Sequence, residues 1–455
     1  MSYLMPIRIW DKLQKQKTLS NVCANGTFKK ISLTCLLALG VNQAYADIKL
    51  TTHGRLSLGF FGNSNTIRNQ AMFGLNAYVR ANFQLNEHWN VGMGAAGIWN
   101  ALSMIPGYSG YNNMSMATGD VGDIYFAYNR GGFKIVAGRY NVDIGPTIVR
   151  TTDFVNGPLQ GISLQWIPKN SSPFRMWFSY INSFLDNGYL PGRIGSDLYM
   201  LNPYFYGGKI KLGGEVFLFG ADFDKGIGKS GHRIFFAPWV LFNTKAPATN
   251  PSRGFVFDPL AQVGVKARFI YNINEAWQSL TGGNALFQYG NGVTSGTIAD
   301  DLLGVFIIDE EIKYVRKRVN SNGKEYVDYS ISAGLGFRGI FGNQASRFFC
   351  INDRTRFYGK FLNNAIYGIG GTWTAYAFAK MEHRIFDVHL MLGGGSYSEI
   401  SLAGSWKAYR QNRNSGEGQT LGFDIGAGYS WAYSSVGAIG GGNNHGFMVF
   451  GKLFY

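Results

Sequence analysis

The chain is poor in charge, in proline and in cysteine. Charged residues make up 15% of its 455 residues. A water-soluble domain carries about 25%, so the groups that keep a surface wet are in short supply. The three cysteines are Cys23, Cys35 and Cys350. The first two fall in a segment expected to be removed, and a single remaining thiol cannot make an internal disulfide. Long apolar runs are missing too. No uninterrupted stretch approaches the ~20 residues of a membrane-spanning helix. Disorder is excluded by the plentiful aromatics and by the lack of long charged or low-complexity runs. What is present is 16% aromatic residues and 62 glycines against 12 prolines. That is the composition of glycine- and aromatic-rich β-structure, apolar on one face only.

The first 46 residues read as a secretory signal peptide. Lys29 and Lys30 precede an apolar run over 31–41, followed by the small-x-small pattern Ala44-Tyr45-Ala46. The run is too short to anchor the chain. The mature protein is expected to begin at Asp47, with 47–455 forming one domain. Neither leader cysteine sits in a lipobox-like context. The leader is more basic than acidic, so the formal charge of +15 overstates the mature chain, which is still basic. Export makes a nucleic-acid partner implausible and directs that charge towards a lumen, lipopolysaccharide or anionic solutes.

Strict alternation recurs along the chain. In 72–86, Phe73, Leu75, Ala77, Val79, Ala81, Phe83 and Leu85 share one face, with Asn76, Tyr78, Arg80, Asn82 and Gln84 on the other. In 421–433, apolar and aromatic residues alternate with Gly422, Asp424, Gly426, Gly428 and Ser430. A period of two means strand. Export, strand length and aromatic strand ends favour an all-β transmembrane antiparallel β-barrel, apolar outside and polar inside. The pattern gives about eighteen strands, with sixteen as the alternative even count. Segments 198–206 and 371–380 are among the strands, and 272–303 is read as an outer connection. Connections 341–370, 141–160, 183–197 and 101–120 are also expected outside, and 319–324 in the periplasm. One long connection, 244–256, falls on the periplasmic side against the trend. The terminal strand 446–455 ends in Tyr455 and suits recognition by the barrel-assembly machinery.

Four stretches, Gly54–Gly62, Phe133–Tyr140, Asp153–Gly161 and Phe447–Tyr455, resemble the Hof family of Helicobacter-type outer-membrane proteins. More distantly, the chain resembles the eighteen-stranded substrate-specific porins. The resemblance implies a pore-forming barrel of the Gram-negative outer membrane for small hydrophilic solutes, with host contact in some relatives. It implies contact with outer-membrane lipid and lipopolysaccharide, no cofactor, and is compatible with a homo-oligomer.

Candidate selectivity residues are the basic side chains on the polar strand faces: Lys49, Arg55, Arg80, Lys134, Arg175, Lys209, Lys211, Lys266, Arg268, Arg338 and Lys407. They outnumber the acids Asp123, Glu215, Asp328, Asp387 and Asp424 on the same faces. A basic wall replaces part of an anion's lost hydration and opposes cations. In the porins that the chain resembles, the connection at 141–160 folds into the barrel and narrows it. Here it carries Asp143, Arg150 and Asp153. A solvated outer loop is the competing reading. Lys225 and Lys229 are read as surface-loop lysines. Trp89, Trp99, Trp166, Trp406, Trp431 and Tyr455 suit an interfacial girdle.

Catalytic and metal patterns do not emerge. The six histidines lack ligand spacing, and the glycine pattern at Gly334–Gly339 lies inside a strand with no following helix. The leading expectation is a non-enzymatic porin that passes small hydrophilic, anionic solutes by passive diffusion. The alternative is an adhesin or structural barrel that binds a host ligand through its outer loops.

Overall fold

In a computed structural model the chain closes into one eighteen-stranded antiparallel barrel, with each strand paired to its sequence neighbours. The structure describes residues 48–455, apart from 65–68, 105–115, 142–152, 156–157, 169–171, 186–192, 196–208, 229–230, 245–255, 295–296, 322, 344–349, 351–354, 360–367, 412–420 and 437–441. Among the described residues there is no helix. The leader expected at 1–46 lies outside them.

The strands are β1 (Lys49–Ser64), β2 (Asn69–Gln84), β3 (Trp89–Met104), β4 (Met116–Arg130), β5 (Phe133–Asn141), β6 (Pro158–Trp166), β7 (Phe174–Leu185), β8 (Lys209–Ile227) and β9 (His232–Asn243). They continue as β10 (Val256–Asn272), β11 (Trp277–Thr294), β12 (Thr297–Val319), β13 (Glu325–Phe341), β14 (Thr372–His383), β15 (Phe386–Gly395), β16 (Tyr397–Arg410), β17 (Gly422–Ser434) and β18 (Asn443–Phe454). The ring closes where β1 pairs with β18. Gly54 and Tyr455 exchange backbone hydrogen bonds of 3.1 and 3.0 Å. Closure leaves no edge strand to template aggregation.

The sides of the strands are reversed relative to a water-soluble barrel. Small polar groups such as Ser57, Asn76 and Ser179 are fully buried on the inner face, whereas Leu335 is 69% and Leu302 65% exposed on the outer face. An apolar outer band over a polar interior is the transmembrane arrangement. Trp99, Trp166, Trp406 and Tyr455 stand exposed on the outer side as expected of a girdle, and the Trp89 ring packs at a tilt against Phe126 and Tyr128.

The strand count agrees with the alternation, but through two compensating differences. Segment 198–206 lies outside the described residues. Segment 277–294, expected within a loop, is strand β11. Strands β8, β9 and β10 therefore each move one place in the order. The long connection 244–255 now leaves the same end as 142–157, 186–208 and 342–371, and its anomaly disappears. The residues of 272–303 are not a single outer loop. Residues 273–276 form a tight turn at the opposite end, the short-turn and hence periplasmic side. Lys225 correspondingly lies at the periplasmic end of β8, not in a surface loop, and Lys229 lies outside the described residues.

The turn before β11 repeats one seen earlier. In 85–88, the Asn86 Oδ1 accepts from the backbone N–H of His88 and Trp89. In 273–276, the Asn274 Oδ1 accepts from those of Ala276 and Trp277 at 2.9 Å each. The sequences are Asn-Glu-His-Trp and Asn-Glu-Ala-Trp. Asparagine makes this turn because its short side chain reaches the backbone two and three residues on. An epitope tag inserted at 273–276 or 320–324 should be hidden on intact cells, and one inserted within 342–371 should be reached by antibody. Surface labelling at 273–276 would put β11 out of register with the ring.

Candidate permeation site in the barrel lumen

Three segments from the long-connection end turn inward. Each is held by contacts that its own residue types dictate. Between β5 and β6, Asp153 accepts from Lys266 Nζ and from Asn284 Nδ2, both at 2.6 Å. Burial by itself would raise the Asp153 pKa, but the Lys266 charge, these two hydrogen bonds and the Arg268 charge outweigh it and hold the group below its ordinary value. The neighbouring Phe154 and Val155 are buried against Leu260, Leu286 and Leu303, inward-facing residues of the outer half of the wall. There the lumen is apolar and filled, so alternation loses its contrast.

Between β7 and β8, Ile194 packs against Met448 and Phe450 of β18. Arg193 donates to the Thr355 carbonyl oxygen at 2.9 Å. Thr355 belongs to the third segment, between β13 and β14. That segment is tied down by Glu399, which is fully buried. Its carboxylate accepts from the backbone N–H of Tyr358 (2.6 Å) and Gly359 (3.0 Å) and from the hydroxyls of Tyr397 and Ser401, each at 2.6 Å.

The same segment carries Arg356 to the wall. Its Nε lies 2.8 Å from Asp309 Oδ2 and its Nη2 2.5 Å from Glu311 Oε2. The guanidinium carbon sits 3.6 Å over the Phe378 ring. Burial works against the Arg356 charge, but the two carboxylates outweigh it and raise its pKa further. Phe378 and Tyr376 can lie across the wall because Gly334 and Gly336 face them. A Cβ at either glycine would meet a ring atom at 2.4 Å. These are glycines of the pattern Gly334–Gly339, and their role is to make room.

Between the segments and the wall remains a cavity of about 280 Å³, bordered by Lys266, Arg268 and Lys380 and by Asp309, Glu311 and Arg356. Small solutes could occupy it, and unlike charges on its border set up a field across it. Among the described residues no group of His, Cys, Asp and Glu could hold a metal ion.

The expected basic residues are distributed as follows. Lys49 begins β1, and Arg55 and Arg80 lie on the inner face near Tyr78, whose hydroxyl donates to Asp123. Lys134 is on the inner face of β5. Arg175 is 3.4 Å from Asp224, which Arg233 also binds. Lys266 and Arg268 border the cavity. Lys407 binds Asp387 at 2.7 Å near the periplasmic end. Arg338 is inside the barrel but fully buried, with its guanidinium over Phe357 and Tyr397. It supports the β13–β14 segment and does not border the cavity. Lys209 and Lys211 pair in the backbone register with Leu185 and Ser183, and their side chains lie outside the described residues. So do Asp143 and Arg150, leaving Asp153 as the described member of the expected constriction. Among the acids, Glu215 faces outward and accepts from Tyr180 at 3.2 Å.

Sequence reasoning missed Arg356, Glu399, Asp309 and Glu311. A signal existed for the last two. Alternation through the acidic run 309–311 puts Asp309 and Glu311 on one face and Glu310 on the other. Nothing in the sequence around Arg356 or Glu399 marks a loop that enters the lumen.

No protein-family model matches the sequence, and no curated protein matches it. The fold is similar to that of the outer-membrane protein OpdK from Pseudomonas aeruginosa, at 11% identity over 90% of this chain and 100% of that one, with a TM-score of 0.53. It is similar to OccAB4 of Acinetobacter baumannii, at 8% identity over 90% and 98% of the two chains, TM-score 0.53. A third, OccK11 of Pseudomonas aeruginosa, gives 10% identity, 89% and 95% coverage and a TM-score of 0.51. This chain has the eighteen-stranded outer-membrane barrel fold. OpdK has also been solved with vanillate, at 10% identity to this chain and a TM-score of 0.51.

Proposed function

We propose that the protein is an outer-membrane, porin-like channel through which small hydrophilic anions diffuse passively. The observation that carries this reading is the cavity in the lumen, where Lys266, Arg268 and Lys380 line a passage narrowed by inward-folded segments. An anion entering it exchanges hydration for fixed cationic groups. Asp309 and Glu311 already hold Arg356, so less acidic charge opposes an anion than the bare residue list suggests. The vanillate seen with OpdK is a carboxylate and gives the reading a chemical precedent in the same fold. In this reading 1–46 is the export signal, the C-terminal strand addresses the barrel-assembly machinery, and the finer kinship with the Hof family rests on the four quoted stretches.

Purified protein in planar bilayers should conduct with a preference for anions at low salt. The preference should weaken between about 0.1 and 1 M, where the Debye length falls from ~10 to ~3 Å. Changing Arg80, Arg175 and Arg268 together to glutamine should lower it and leave the barrel conducting. A channel that prefers cations at low salt would overturn the reading. The second reading, an adhesin with its pore shut, is favoured by the apolar packing of Phe154, Val155 and Phe357 within the barrel. A folded barrel that stays silent in bilayers would select it.

A further inference from the structure

The barrel wall carries a hairpin that overhangs its periplasmic edge. β11 starts at Trp277, paired with Tyr314, and β14 ends at His383, paired with Tyr329. Between them β12 and β13 run on to the pair Val319 and Glu325. Among the described residues, the last bonds to the neighbours are from Val315 N–H to the Ala276 carbonyl oxygen at 2.8 Å and from Arg384 N–H to that of Asp328 at 3.3 Å. Further out the two strands bond to each other. Asn320 closes the tip: its N–H donates to the Lys324 carbonyl oxygen at 2.9 Å and its Oδ1 accepts from Lys324 N–H at 2.8 Å. The overhang is thus a built feature of the sheet.

A row of rings marks the periplasmic girdle at this place. Trp277, Tyr314, Tyr329 and His383 follow one another with centroids 5.0, 5.9 and 6.3 Å apart. A rise of ~3.3 Å per residue and a tilt of ~40° put Arg316 about 5 Å beyond that row and Val319 about 13 Å beyond it. The headgroup layer of a bilayer is ~5–7 Å thick on each side, so Arg316 lies at the depth of lipid phosphates. The hairpin's two acids are already shared out. Arg318 lies 2.8 Å and Arg384 3.5 Å from Asp328, and Lys317 lies 3.0 Å from Glu325. Among the described residues no carboxylate bonds Arg316 or Lys324. The Arg316 guanidinium stands over the Tyr329 ring, 5.7 Å from its centroid. A hydrogen bond to that side chain occupies one of its five N–H donors. Glu310, the next outward acid up the strand, accepts from Ser279 at 2.5 Å and from Thr281. Six residues, or ~20 Å, keep it from Arg316.

We propose that Arg316, with the rings of Tyr314 and Tyr329, holds the phosphate of an anionic phospholipid of the periplasmic leaflet. A guanidinium presents paired N–H groups that match two phosphate oxygens. The aromatic row gives the glycerol and the upper chains an amphipathic seat. Depth selects a lipid over a free anion, because Arg316 stands where headgroups lie. The surplus charge of Arg316 and Lys324 selects a net negative headgroup over a zwitterionic one. The side selects a phospholipid over lipopolysaccharide, which belongs to the leaflet at the long-connection end.

The test counts lipids on the folded barrel by native mass spectrometry in a neutral detergent. Phosphatidylglycerol and phosphatidylcholine with the same acyl chains are titrated in turn. Wild type should bind one phosphatidylglycerol about tenfold more tightly than phosphatidylcholine. Arg316→Gln should weaken that binding about fivefold, the effect of one cation at an anionic membrane surface. Lys225 is the control, because it pairs with the outward Ile234 at the periplasmic end of β8. Lys225→Gln should leave binding unchanged, which separates a site from general attraction to a basic rim. Inorganic phosphate at the lipid's concentration should not displace it. Heat-shifted migration on a gel checks that each variant folds. Should Arg316→Gln fail to fold, wild type given phosphatidylglycerol with a photoreactive headgroup should be labelled within 314–329 and not within 223–234. Equal affinity for the two lipids would overturn the proposal, as would an Arg316→Gln barrel that binds like wild type. Equal losses from Arg316→Gln and Lys225→Gln, displacement by inorganic phosphate, or labelling outside 314–329 would do the same.

Discussion

Glu399→Gln should raise the single-channel conductance severalfold and make the current noisy. The side chain holds the β13–β14 segment through four donors, two on each oxygen. Oε1 takes Tyr358 N–H and Ser401, and Oε2 takes Gly359 N–H and Tyr397. Glutamine turns one of these acceptors into an NH₂ group. The two hydroxyls can rotate to accept from it, but a backbone N–H cannot. In either orientation one N–H of the segment faces a donor. A hydrogen bond to a charged group is worth ~1.5–3 kcal/mol, and a buried donor left without an acceptor costs a further ~1–3 kcal/mol. That is enough to free a short segment while the ladder stays intact, because each strand keeps both of its neighbours. Releasing it also loosens Arg356 from Asp309 and Glu311. Ser401→Ala removes one donor and should have a smaller effect. If Glu399→Gln conducts like wild type, with the same noise, the segment is not held by this carboxylate.

The barrel was readable from the alternation because an apolar outer face and a polar inner face keep a period of two wherever both faces are uniform. Reading fails where one face changes character. In β11 the outward positions Ser279, Thr281, Gly283 and Ala285 are polar or small, since Ser279 and Thr281 serve Glu310. The inward Leu280 and Leu286 are apolar, Leu286 because it packs against the inward segments. Contrast between the faces vanishes, and a strand reads as a loop. The Asn-x-x-Trp turn at 274–277, repeating that at 86–89, was the local signal that could have marked its start. At the site, Asp153 could be singled out as a candidate because acid, glycine and proline occur together in one connection. Arg356 and Glu399 could not, because what joins them is a fold-back between residues 40 or more apart.

Acidification should act on the channel through Asp153 and increase its anion preference. At neutral pH the Asp153 carboxylate sits 2.6 Å from Lys266 Nζ and cancels much of that charge at the cavity border. Its pKa is lowered from 3.8, so the sign is fixed. The stabilisation that this pair gives to the docked β5–β6 segment is fully present above the ordinary 3.8, and it is lost as pH falls through the lower folded value. Between pH 7 and 5 the selectivity should therefore hold steady as far as Asp153 is concerned. Below about pH 3.8 it should rise as Lys266 is unmasked. Asp153→Asn should produce the acid behaviour at pH 7. One unscreened charge a few Å from the path is worth ~1 kcal/mol, or about fivefold in relative anion permeability. Lys266→Gln should move selectivity the other way at neutral pH, because it leaves Asp153 at the border without its cation. The measurement is the reversal potential under a salt gradient, taken for each variant at pH 7, 5 and 3. Equal reversal potentials for wild type and Asp153→Asn at pH 7 would remove Asp153 and Lys266 from the permeation path, leaving selectivity to Arg268, Arg80 and Arg175.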